Sequence, residues 1–334
     1  MLRTNSRATS VAMALLALVV VVIFPTGIPS AEAKPEPTQR IEALKVHIIS
    51  TMLATRGLGE WGFSALVEAN GHWILIDTGH DPDVVLGNAQ QMGVDLSQVT
   101  DVVLSHFHPD HTGGLMKLRQ ELLKTNPEAL ARIHVGKEFF SSRRAPGGAE
   151  EVNLMIAKKS ALESTGARFF VHDKPTELFP GIWVTGPVPR ERLERNWSGS
   201  LEVKTGDHWV EDTVPDSQSL VLDTEKGLVV LSGCGHAGIV NTLEYARTAI
   251  RSAPIHAAIG GFHLLNADDK QLTWTSTQLR AMGLEHFLGA HCTGIEAVFR
   301  IREEAGLSRR TCVVGAVGAT FSLEDGLDPR QLAR

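Results

Sequence analysis

Apolar and polar residues alternate through "KVHIIST" (45–51), "FSALVEAN" (63–70) and "HWILIDTG" (72–79), the period of strands with one buried face. The "NG" pair between the last two predicts a tight hairpin turn. The period then changes. "DPDVVLGNAQQMG" (81–93) reads as a helix stopped by Gly93, "DVVLS" (101–105) as a strand, and "GLMKLRQELLKTN" (114–126) as a helix. From about 127 to 200 the pattern is weaker, with strands at "ARIHVG" and "ARFFVHD" and a helix over 150–165. The second half returns to strands: a hairpin at "SLVLDTEKGLVVLSG" (219–233), then "IHAAIGGFHL" (255–264), "EHFLGAHCTG" (285–294) and a final strand "TCVVGAVGATFSL" (311–323). Helices at 239–250, 273–283 and 295–306 separate them. Strands alternating with helices make this an α/β chain.

Strand after strand runs into a turn rich in glycine and histidine: "IDTGH", "LSHFHPDH", "LSGCGHAG", "IGGFHL" and "LGAHCTG". Three histidines and an aspartate, His106, His108, Asp110 and His111, fall within six positions of one such turn. Imidazole and carboxylate are metal donors, and strand ends are where α/β proteins place their sites. The other junctions add Asp77, His236, His263 and His291. Two stacked sheets with helices on the outer faces would bring all of them together. His47, His134, His172, His256 and His286 have no such turn beside them and read as ordinary packed or paired histidines.

Residues 1–33 have a basic start at Arg3 and Arg7, an apolar run "VAMALLALVVVVIF" (11–24) and a small-x-small "AEA" (31–33). This is the grammar of a signal peptide, with a run short for a membrane span, so a periplasmic or secreted protein starting at Lys34 is expected. Without cleavage, the segment would act as a membrane anchor. Residues 34–44 read as a linker and 323–334 as a C-terminal tail. The formal net charge of −6 becomes −7 once Arg3, Arg7 and Glu32 are removed, and no basic run is present, which argues against nucleic acid as a partner. The three cysteines cannot all pair within one chain. Cys234 and Cys292 lie beside histidines and read as neighbours of the site.

The "HFHPDH" loop, preceded by "IDTG", resembles the metallo-β-lactamase superfamily over residues 45–322. "GIWVTGPVPR" (181–190), "GLVVLSGCGHAGIVNT" (227–242), "GGFHL" (260–264) and "HCTG" (291–294) are similar to one branch of it. That branch includes the dihydropterin-ribofuranosyl-aminobenzene phosphate synthase family and many metal-dependent hydrolases. The resemblance implies an αββα four-layer sandwich of two mixed sheets holding two divalent ions, zinc first, with manganese or iron as alternatives. His106 and His108 would hold the first ion, Asp110 and His111 the second, and His236 and His291 would complete the set. Asp77 would accept an N–H from a ligating imidazole. Many members carry a bridging aspartate where this chain has Cys234. Cys234 either ligates or packs, with packing the expectation, and Asp216 is an alternative carboxylate. The usual Gly-His-Thr histidine before "SLVL" is missing, so His236 serves.

The implied reaction is hydrolysis of a small-molecule ester, lactone or phosphoester by a water of lowered pKa, with Asp110 orienting it. His263 would bind substrate or protonate the leaving group, the alternative being that it supports a ligand. The alternatives are a pterin-type transferase and a metal-binding protein without turnover. Oligomeric state is left open.

Overall fold

The computed structural model of the chain describes residues 39–197 and 199–330. The expected signal peptide, the start of the linker and the last four residues of the tail lie outside them. Eight strands form the first sheet, in the order Gly326–Asp328, Thr320–Ser322, Leu44–Ser50, Ser64–Ala69, His72–Ile76, Asp101–Val103, Arg132–Gly136 and Arg168–His172. Seven form the second: Cys312–Val314, His286–Gly289, Ile255–Gly260, Gly227–Ser232, Ser219–Thr224, Ile182–Val184 and Thr176–Phe179. Both sheets are mixed. The hairpin turn at Asn70 and Gly71 has positive φ at both residues, as an Asn-Gly turn between twisted strands requires.

Alternation along the strands decides the layering. In Gly227–Ser232, Val229 and Leu231 face the first sheet, packing with Val46, Val67 and Ile74, whereas Leu228 and Val230 face helices. Those helices are Ile239–Ala249, Asp269–Ala281 and Ile295–Glu304, which contribute Leu243, Leu279 and Val298. On the far side of the first sheet, Leu66, Leu75 and Ile133 pack against helices Val84–Met92, Leu115–Leu122 and Leu154–Glu163. Three apolar layers therefore separate four layers of structure, helix, sheet, sheet and helix, as the resemblance implied.

Three readings need correction. The expected final strand over 311–323 is two strands in different sheets: Cys312–Val314 ends the second, Gly315–Gly318 crosses over, and Thr320–Ser322 joins the first. Gly318, at φ 87, takes a left-handed bend that interrupts a run apolar enough to look continuous. The packed unit also extends past 45–322: Ile41 is wholly buried and bridges Thr224, and Gly326–Asp328 pairs as an edge strand. Finally, the weakly patterned middle holds a small third sheet, Arg143–Arg144, Glu202–Thr205 and His208–Glu211. No helix among the described residues is long and apolar enough to cross a membrane.

Candidate metal centre

The two sheets bring their parallel strands' C-terminal ends to one edge. His72–Ile76 and Asp101–Val103 deliver Asp77 and the His106–His111 loop; Gly227–Ser232, Ile255–Gly260 and His286–Gly289 deliver His236, His263 and His291. The loop after Asp101–Val103 turns at once into the short helix Pro109–Thr112, which carries Asp110 and His111. It can pack this closely because Gly113 and Gly114 follow. A Cβ there would stand 1.9 Å from the His80 carbonyl and 2.2 Å from that of Thr78.

Hydrogen bonds fix which imidazole nitrogens are free. The Ser105 hydroxyl donates to Asp77 Oδ2 at 2.7 Å, so its oxygen must accept from His106 Nδ1 at 2.9 Å. His111 Nδ1 donates to the same Asp77 oxygen at 2.7 Å, and His236 Nδ1 donates to the Asn196 carbonyl at 2.5 Å. His106 and His236 are each left with a bare Nε2. His106 Nε2 then lies 3.2 Å from His236 Nε2 and 2.9 Å from His108 Nδ1. Two lone pairs facing each other at that distance repel unless a cation sits among them. Burial first, then neighbouring histidines, holds His106 and His236 well below the usual histidine range, and burial takes His108 down to about 3, against the pull of Asp110. These rings are neutral at pH 7, the form that binds metal.

A second donor group adjoins the first. Asp110, His111 and His291 have ligand atoms within 4.8 Å of one another, and Cys234, His291 and Cys292 form another such group. Both ring nitrogens of His291 are buried without a hydrogen-bond partner, although Nε2 is 3.2 Å from Asp110 Oδ2. Burial opposes charge on Asp110, but His111 and His291 hold its carboxyl well below the usual range. Burial likewise opposes charge on His111, yet Asp77 and Asp110 outweigh it and raise the ring to about 9. Neutral imidazoles at His106, His108 and His236 fit one divalent ion; Asp110, His111 and His291 would hold a second, which would take the place of the His111 Nε2 proton.

All the histidines expected here are therefore brought together, and Asp77 accepts from His111 Nδ1 at their centre. One expectation changes. Asp216 is not among the donors: its carboxylate pairs with buried Arg143 at 2.6 Å and accepts the Phe107 N–H at 2.9 Å, bracing the histidine loop from behind. Cys234 packs toward the donors as well as along its strand, its Sγ lying 3.0 Å from His111 Nε2. Sequence reading missed Ser105, Arg143, Trp61 and Trp197. Ser105 directly precedes His106, a signal that was available; the tryptophans carried none.

The donors open into a cavity of about 190 Å³ whose walls include Trp61, Trp197 and His263. His263, with φ 46, stands 4.8 Å ring to ring from His236. A larger groove of about 1130 Å³, lined by Lys45, His47, Arg56 and Arg330, contains none of the donors, so the smaller cavity is the one that matters for chemistry.

Comparison with known proteins agrees with this fold. The family profile described as the metallo-β-lactamase superfamily matches residues 62–251. The chain is 29% identical over 275 residues to the 7,8-dihydropterin-6-methyl-4-(β-D-ribofuranosyl)-aminobenzene-5'-phosphate synthase of Methanocaldococcus jannaschii, covering 79% of this chain and 92% of that one. Among solved structures, a metal-dependent hydrolase of the β-lactamase superfamily superposes with a TM-score of 0.67 at 28% identity, covering 83% of this chain and 98% of that one. A metallo-β-lactamase-fold protein of Bacillus subtilis shares the fold, with a TM-score of 0.52, 13% identity and coverage of 84% and 100%.

Proposed function

Because the chain belongs to the metallo-β-lactamase superfamily, we propose that it is a metal-dependent hydrolase of a small ester, lactone or phosphoester. The observation carrying this reading is the convergence of the ring nitrogens of His106, His108 and His236, buried and neutral, beside Asp110, His111 and His291. Divalent metal bound there would supply a water of lowered pKa and a Lewis acid for a carbonyl or phosphoryl oxygen. The chain's own groups supply orientation. Asp110 keeps part of its carboxylate open to the cavity and can accept a hydrogen bond from an attacking water. His263 lines the cavity, and burial lowers its basicity, so at pH 7 it meets substrate as a neutral ring able to donate to a leaving oxygen. Trp61 and Trp197 offer flat apolar walls.

A second reading is favoured by the archaeal relative, whose named activity is a pterin synthase rather than a hydrolase. One experiment separates the two. The metal-loaded protein is offered aryl esters, lactones and phosphodiesters, and in parallel the pterin and aminobenzene substrates of that synthase. Hydrolysis that a chelator abolishes and zinc restores is expected. Formation of the pterin product without hydrolysis would replace the hydrolase reading, and turnover of neither at full metal content would leave a metal-holding binding protein.

A further inference from the structure

Cys234 and Cys292 come from different loops, after strands Gly227–Ser232 and His286–Gly289, which flank strand Ile255–Gly260. Their sulfurs nonetheless lie 3.2 Å apart, wholly buried, with no disulfide between them. The contact needs glycine at position 261, because a Cβ there would stand 1.9 Å from the Gly233 carbonyl and 3.0 Å from Cys292 Sγ. Two buried thiols in contact gain little from each other. What they share is their surroundings. Cys234 Sγ is 3.0 Å from His111 Nε2, and both sulfurs fall within 4.8 Å of a His291 nitrogen that has no hydrogen-bond partner. The His263 backbone N–H, 3.3 Å from Cys292 Sγ, donates to it.

We propose that Cys234 and Cys292 act as a pair, presenting two thiolates to the second metal position. This rests on the metal-centre reading above and goes further by assigning a ligand, Cys292, that a Cys234-for-aspartate exchange does not supply. The two positions then differ in kind. The first is built of imidazoles, whereas His111, His291 and two sulfurs give the second a Cys2His2 donor set, with Asp110 alongside. Such a set selects zinc and other thiophilic ions over manganese or magnesium. Binding releases the two thiol protons to solvent and involves no change of oxidation state.

Cobalt substitution tests this without any turnover assay, so its failure is distinguishable from failure of the hydrolase reading. The cobalt-loaded protein should show a near-ultraviolet sulfur-to-metal charge-transfer band. Cys234→Ser and Cys292→Ser should each lose about half of it, the double variant all of it, and Cys312→Ser none. Should a variant misfold, X-ray absorption of the unmodified zinc-loaded protein gives the same answer, as a sulfur shell at about 2.3 Å. A full band in Cys292→Ser, no sulfur shell, or a Cys234–Cys292 disulfide in the metal-loaded protein would overturn the proposal.

Discussion

The single hydroxyl proton of Ser105 has two acceptors in reach, Asp77 and His106, and giving it to the carboxylate leaves His106 Nε2 bare. Ser105→Ala removes the acceptor for His106 Nδ1, so the ring loses both its orientation and its tautomer. Metal affinity should fall about 10- to 100-fold while far-ultraviolet circular dichroism stays unchanged, with chelator competition as the measurement. Unchanged affinity would mean the loop backbone alone orients the ring. The residues that converge on the cavity were legible in the sequence, because residue type and position at a strand end suffice to nominate a candidate. Pairings across the fold were not. Asp216 is claimed by Arg143, and Cys234 by Cys292; each partner lies far along the chain, and nothing local to either residue marks the contact.

Among the elements, the tightest constraint is where the two sheets' loops meet. Gly233 follows strand Gly227–Ser232, and a Cβ there would stand 2.1 Å from Ser105 Oγ and 2.2 Å from Asp77 Oδ2. The requirement is for space, since Gly233 is not among the residues with positive φ. Gly233→Ala should therefore cost about 1–3 kcal/mol and push Asp77 off the rings it orients. Thermal unfolding with parallel metal analysis would show both losses together; a variant as stable as the parent with full metal would refute the close approach. Elements with strong periodicity were legible. Helix Asp269–Ala281 begins earlier than its apolar pattern suggested, because Asp268 accepts the Gln271 N–H and caps a polar first turn. The third sheet was invisible because its short strands are largely exposed and lack a buried face to impose a period.

For the molecule as a whole, acid should weaken the fold partly through His172, far along the chain from the metal donors. Burial first, then neighbouring His134, lowers His172 to about 4. A histidine depressed in the folded state contributes stability that is whole above pH 6.5 and is lost as pH falls from there toward 4. For a half-buried ring, screening leaves about 1 kcal/mol of this. His172→Gln should flatten that part of the pH profile, read as the difference between variant and parent denaturant midpoints at pH 7 and pH 4.5; parallel profiles would exclude it. The layered architecture was legible because strands alternate with helices along the chain and apolar runs such as Gly227–Ser232 report burial on both faces, whereas the crossover at Gly315–Gly318 was hidden in an apolar run. That crossover bears on how the protein is completed. The chain finishes its second sheet at Cys312–Val314 and only then returns to lay Thr320–Ser322 beside Leu44–Ser50, pairing Lys45 with Ser322 and His47 with Thr320. Until that return, one of the earliest strands to be synthesised has an open flank of unpaired amides and carbonyls, the surface on which a neighbouring chain could template itself. The C-terminal segment is thus a latch: a nascent or clipped chain without it could hold its donor cluster and still be sticky.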